Sequence, residues 1–367
     1  QEAAEKQKGA RDTTIDVKML SLEELDALKQ TYVEQGFVES ARRNIVIYND
    51  EGCGERSTLN MHAQFTNTLD MNVHRVHIVG ANHILNLPWE ETTRLIAITG
   101  GRARPFYLKL GSEWERNEVP PGEMRMLKKT GEGNDRISAF VRKHGGCFLG
   151  ICAGGYYGAD QTVFDKGGKH EVLDQGPLKL YSGIAEGPAN GINRVDYHSE
   201  VGAEVANISS AELPFTDLPT YLNGGSYFHS EQPSTQSTVL ARYATVKEDA
   251  HAVVETCLDD GVAVLSGVHF ECPSYERKLE PNVRAALASS DEERELFFAA
   301  IMQRLKLAIK PELEQRLAQR LEQQANKVVS EGWKATGNYA NDFAAYSDLL
   351  VRAKQAPHAQ QGSLRRQ

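Results

Sequence analysis

Apolar positions in the first three quarters of the chain fall in short, β-branched-rich runs, not in long helical stripes. NIVIYN (44–49), VHRVHIV (73–79), LIAIT (95–99) and CFLGI (147–151) are each of strand length, and several are apolar at nearly every position, as strands covered on both faces are. Between them lie polar-apolar stretches with helical spacing, from Ser57 to Leu69 and near Asp135–Lys143. Gly52 and Gly54 punctuate the first strand-to-helix turn. Alternating strands and helices predict an α/β domain built on a mostly parallel sheet with helices on both faces.

The pattern then changes. From about Leu173 to Arg242 the runs LKLYSG, INRVDYHS, LPTYLNGG and TVLARYA are separated by turn residues and predict a β-rich elaboration of the same sheet. AVVETCL (252–258), Asp260-Gly261 and VAVLSGV (262–268) read as a hairpin. After Asp291 helix formers dominate: Phe297, Ile301 and Leu305 mark one stripe, and after Pro311 Leu313, Leu317 and Leu321 mark another. Residues 104–134, with Pro120, Pro121 and several glycines, read as an irregular insertion. The resulting division is an N-terminal arm and helix over 1–43, opened by the Ser21/Glu24 capping box, a main domain over 44–290, a C-terminal helical extension over 291–350 and a polar tail over 351–367.

Composition narrows the function classes. No apolar run approaches the roughly 18 residues of a spanning helix, so membrane insertion is not expected. The formal net charge of −9 argues against nucleic acid as a partner, because a phosphate backbone is gripped by clustered Lys and Arg. Five scattered cysteines without C-x-x-C spacing fit a reducing compartment, cytoplasmic or another intracellular one. The chain starts without Met, which leaves a processed organellar form open. Cys147, Cys257 and Cys272 read as interior thiols.

Cys152 differs from these. It is framed by Gly150 and Gly154 and follows the strand CFLGI directly, the spacing of a strand-to-helix nucleophile elbow, where glycines two before and two after leave room for a sharp turn. Helix N-termini favour anions. Downstream, His269-Phe270-Glu271 ends the last apolar strand, and residues two apart on extended chain face the same side. Cys152 as nucleophile, His269 as base and Glu271 as its orienter form a candidate triad for attack on a small amide. The backbone of Gly100-Gly101, paired with Ala153, is a candidate oxyanion site. Tyr156 and the Gly224-Gly225 turn are candidate pocket elements. Nothing calls for a cofactor: His-x-Glu lacks further ligands at metal spacing, and no G-x-G-x-x-G follows the first strand.

Taken in order, NIVIYND, Pro88-Trp89-Glu90, ITGGRARPFY (98–107), HGGCFLGICAGGYYGA (144–159), YLNGGSYF (221–228), VLARY (239–243) and AVLSGVHFE (263–271) resemble the N-terminal, amidotransferase-like domain of biotin-protein ligases and its stand-alone relatives. The resemblance runs from about residue 44 to 275. It implies a flavodoxin-like class I glutamine-amidotransferase fold with Cys152, His269 and Glu271 at the family's triad positions, although His-Phe-Glu stands where the family has His-Pro-Glu and Gly155-Tyr156-Tyr157 follow where a glutamine-binding residue is usual. The Gly-Arg-Gly-Arg loop of the ligase half is not found, so this chain is not expected to biotinylate by itself. Two functions follow. One is a thiol-dependent hydrolase or transferase acting on a small amide; the other is a non-catalytic relative with a regulatory or assembly role, for which the C-terminal helices offer a face to a protein partner.

Overall fold

The computed structural model describes residues 42–114, 119–129, 132–191, 202–231 and 234–335. Expectations for 1–41, 192–201 and 336–367 lie outside the described residues. The first β-loop-α units are β1 (Asn44–Tyr48), α1 (Glu55–Thr68), β2 (Arg75–Val79), α2 (Ala81–Asn86) and β3 (Thr93–Ile98). Next come α3 (Ala103–Lys109), a two-stranded ribbon of β4 (Ser112–Trp114) and β5 (Leu127–Lys129), α4 (Gly133–His144), β6 (Cys147–Ile151) and the short α5 (Ala153–Gly158). The segment expected to be an irregular insertion thus opens as a helix. Pro105 sits in its first turn, where no intrahelical N–H is needed, and Phe106, Tyr107 and Leu110 are fully buried beneath it.

A run of strands follows: β7 (Ala159–Phe164), β8 (Val172–Gln175), β9 (Tyr181–Gly187), β10 (Glu204–Ser209), β11 (Leu218–Leu222), β12 (Tyr227–His229), β13 (Ser237–Tyr243), β14 (His251–Leu258) and β15 (Gly261–Ser266). Three helices close the described chain: α6 (Pro281–Ala288), α7 (Asp291–Arg304) and α8 (Pro311–Ala335). The sheet has 13 strands in the order β2-β1-β3-β6-β15-β14-β12-β9-β7-β8, with β10, β11 and β13 branching from this path. Its first five strands are parallel. The β14–β15 hairpin turns the direction, and beyond it most pairings are antiparallel.

Alternation along the parallel strands feeds two cores. Ile45, Ile47, Leu95, Ala97 and Leu149 face one side, against Phe65 of α1 and Phe297, Phe298 and Ile301 of α7. Val46, Tyr48, Ile96, Ile98 and Phe148 face the other, against Ile84, Phe106, Phe140 and Tyr157. Helix α7 is therefore a layer of the central core; Phe298 meets Phe65 edge-on at 5.5 Å and Phe297 meets Phe270 at 5.3 Å. Leu313 and Leu317 of α8 are buried in the same cluster. Cys257, read from sequence as interior, is exposed: it lies between buried Thr256 and Leu258, on the outward side of the pleat.

The register decides where chemistry can gather. Ile98 of β3 and Leu265 of β15 both lie opposite Gly150 of β6, so these three strands end level at one sheet edge. Gly100, Cys152 and His269, each one to three residues past its strand, meet there. Carboxyl ends of parallel strands are the usual place for sites in such folds.

One buried histidine ties the helical layer to the sheet. The Ala308 N–H donates to Nε2 of His74 (3.0 Å). Burial pushes His74 down to about 4. A group depressed in the folded state supports stability above its unfolded value, and that support drains as pH falls from about 6.5 toward 4. Wild type is expected to lose about 2 to 3 kcal/mol more than His74→Gln between pH 7 and pH 4 in urea unfolding; parallel pH profiles for the two proteins would refute this.

Candidate active site

Cys152 sits at the junction of β6 and α5 with φ 53° and ψ −105°, a conformation that costs a residue with a side chain on the order of 1–3 kcal/mol. Neighbouring strands hold it there. Its N–H donates to the Ser266 carbonyl (2.7 Å) and its carbonyl accepts from Tyr156 N–H (3.0 Å). The turn is tight enough to demand its glycine frame: a Cβ on Gly150 would stand 2.3 Å from the Gly154 carbonyl oxygen, and one on Gly154 2.0 Å from that of Ile98. The thiol itself contacts the Asn223 carbonyl at 3.8 Å.

His269 leaves β15 beside β11, its N–H donating to the Tyr221 carbonyl (2.8 Å) and its ring meeting the Tyr221 ring edge at 5.4 Å. Nδ1 lies 2.7 Å from Oε1 of Glu271, and Cys152 lies within electrostatic reach of the imidazole. All three residues are buried, with Glu271 fully enclosed and Cys152 and His269 only 6% and 7% exposed. Burial by itself lowers His269, but the Glu271 carboxylate and then Cys152 outweigh it and push the imidazolium up to about 10. The structure thus brings Cys152, His269 and Glu271 together in one buried site, with His269 hydrogen-bonded to Glu271.

The glycine expectations fare unevenly. Gly100 cannot offer its N–H to an oxyanion, because that N–H donates to Ser57 Oγ (3.0 Å). Its place in the site is steric: a Cβ there would stand 2.5 Å from Cε1 of His269. Gly101, at φ 145°, lies across from Cys53 in a bridge closed by Gly54 N–H to Gly100 O and Arg102 N–H to Gly52 O, both 2.8 Å. That bridge leaves the Gly101 N–H without a protein acceptor among the described residues, and the same holds for Ala153, the first residue of α5. Tyr156, Gly224 and Gly225 do not line an opening. Tyr156 is buried and donates to the Gly224 carbonyl (3.1 Å), and the space at Gly225 is filled by the Gly267 carbonyl, 1.7 Å from where a Cβ would stand.

Two neighbours had escaped the sequence reading. Asn223, next to the glycines that drew attention, supplies the carbonyl at the thiol, and its own Nδ2 donates to the Tyr221 hydroxyl (3.3 Å). Ser57, in the first turn of α1, donates to Glu271 Oε1 (2.9 Å). A serine near a helix start has an ordinary local explanation, so only the fold reveals its reach across 214 positions of sequence. Among the described residues no group of three or more His, Cys, Asp or Glu is arranged to hold a metal ion, and no helix is long and apolar enough to cross a membrane.

Residues 43–329 match the family model described as "Biotin-protein ligase, N terminal". The chain belongs to this family. Among curated relatives of this biotin-protein ligase N-terminal family member, an uncharacterized protein of Chlamydia muridarum is 30% identical over 275 residues, covering 72% of this chain and 95% of its own length. The biotin–protein ligase of Schizosaccharomyces pombe is 28% identical over 234 residues, covering 62% of this chain but only 33% of the ligase. The chain therefore spans nearly all of the first relative and a third of the second. Among solved structures, a glutamine amidotransferase aligns with 70% of this chain and 98% of its own at 12% identity and a TM-score of 0.41. A β-galactosidase from Rahnella sp. R3 aligns with 72% of this chain and 31% of its own at 14% identity and a TM-score of 0.40.

The Gly100 contact gives a direct check of the site's packing. Gly100→Ala drives a methyl into the His269 ring and is expected to destabilise the protein by about 1–3 kcal/mol in denaturant unfolding. Unchanged stability would mean that the ring is not held against the β3 turn.

Proposed function

We propose that this protein is a class I amidotransferase-like enzyme that cleaves or transfers a small amide through a covalent thioester on Cys152. The observation that carries the reading is His269, hydrogen-bonded through Nδ1 to Glu271 and set beside Cys152, with the cysteine on a strained elbow at the carboxyl edge of the sheet.

The chemistry follows from the charges. Sγ of Cys152 attacks the amide carbon, and the carbonyl π electrons move onto oxygen. The N–H groups of Ala153 and Gly101 are the donors for that oxyanion; preformed donors of this kind are among the strongest contributions to such reactions. His269, holding its proton, delivers it to the amide nitrogen as the C–N bond breaks, and ammonia or an amine leaves. Water then attacks the thioester, neutral His269 takes its proton, and the thiolate departs. An amine in place of water would make the reaction a transfer. Glu271 stabilises the imidazolium through Nδ1 and fixes which ring nitrogen faces the sulfur.

A non-catalytic role in regulation or assembly is the second reading. The low exposure of Cys152 and His269 and the protein-filled space at Gly225 favour it.

A panel of small primary and secondary amides, assayed for released ammonia or amine, separates the two. Cys152→Ala is expected to fall to background, and Glu271→Gln by about 100-fold or more, as loss of a triad orienter does elsewhere. Activity should decline as pH rises through about 10, where His269 gives up the proton that the leaving group needs. Turnover that persists in Cys152→Ala would end the enzymatic reading of this site.

A further inference from the structure

Glu271 is an unusual carboxylate. It is completely buried, yet both of its polar contacts use one oxygen: Oε1 accepts from His269 Nδ1 (2.7 Å) and from Ser57 Oγ (2.9 Å), while Oε2 has no partner among the described residues. A buried carboxylate gains from every donor it meets. With His269 as its sole donor, the carboxylate would be free to swing about that one contact.

Ser57 is itself held in place. Its Oγ accepts the Gly100 N–H (3.0 Å), which fixes the direction of the hydroxyl proton toward Glu271. The two backbone segments that carry Ser57 and Gly100 are joined just outside the site by the Cys53–Gly101 bridge. The next residue, Thr58, is anchored as well, donating to Asn49 Oδ1 (3.2 Å) and lying 3.4 Å from Thr99 Oγ1. The start of α1 and the end of β3 are therefore tied together, and they touch the site at two points: the Ser57 hydroxyl on Glu271 and the Gly100 backbone against the His269 ring.

We propose that Ser57 is a positioning residue of this site, whose hydroxyl, oriented by the Gly100 N–H, shares one Glu271 oxygen with His269 and so holds the carboxylate in the orientation that meets the imidazole. The proposal rests on the Cys152–His269–Glu271 reading above and extends it to a hydrogen-bonded chain that starts at the backbone and ends on the ring beside Cys152: Gly100 N–H to Ser57 Oγ, Ser57 O–H to Glu271 Oε1, and Glu271 Oε1 to His269 Nδ1. Ser57 touches no reacting atom. It acts through Glu271, as the outer partners that hold ligating and catalytic side chains do in other proteins.

The experiment follows the His269 ring by NMR in the full chain, its signal assigned by its disappearance in His269→Gln, across pH 5 to 11. Wild type should remain imidazolium until about pH 10. In Ser57→Ala the midpoint should fall by about one unit, equivalent to a tenfold loss of preference for the charged ring, as Glu271 loses the donor that aligns it. Ser57→Thr keeps the hydroxyl and should restore the wild-type midpoint, which a merely structural role would not require; it also serves if Ser57→Ala does not fold. A midpoint unchanged or raised in Ser57→Ala, or a Ser57→Thr midpoint as low as that of Ser57→Ala, overturns the proposal while leaving the triad reading intact. A wild-type His269 that titrates at or below the ordinary histidine range overturns both.

Discussion

The hydrogen bond from the Cys152 N–H to the Ser266 carbonyl, 2.7 Å long, stitches the end of β6 to the end of β15 at the point where the chain turns into α5. It helps hold the cysteine in a backbone conformation that a residue with a side chain avoids on its own. The strain is offset locally, by the glycine frame that lets Gly154 close on Ile98 and by intimate packing of α5, whose six residues are all buried. Since β15 also delivers His269, the bond that fixes the elbow fixes the distance between cysteine and histidine. Loosening it would disturb every other contact of the site.

Burial then sets the electrostatics. In a water-poor interior, charges interact far more strongly than at the surface, so Glu271 and Cys152 together outweigh the desolvation of His269 and keep its ring charged. Tyr221 of β11 and Asn223 just past it contact His269 and Cys152, and α1 reaches Glu271 through Ser57. The remaining cysteines lack this setting. Burial pushes the thiols of Cys147 and Cys272 up, Cys53 is raised to about 12, and at Cys257 burial and the Glu255 carboxylate act in the same direction.

The parallel half of the sheet was legible because its strands are apolar on both faces and are closed by glycines, and the elbow because Gly150 and Gly154 leave a spacing with few other uses. His269 and Glu271 were legible for a similar reason: they are two polar residues ending a run that is otherwise apolar. What could not be read were contacts between distant segments. Whether the Gly100 N–H is free depends on Ser57, 43 positions earlier, and whether Gly225 faces a ligand depends on Gly267. A glycine announces a close approach without naming what approaches. Helix α3 was hidden for a different reason, since prolines and glycines later in the same segment masked the buried Phe106-Tyr107 pair that pins it.

Competition among the five cysteines tests the central claim most directly. With iodoacetamide below one equivalent at pH 7, exposure alone would favour Cys257, whereas Cys152 is 6% exposed. The account predicts that peptide mapping finds Cys152 carboxamidomethylated first, and that His269→Ala abolishes this priority. Labelling of Cys257 with Cys152 left unmodified would contradict it.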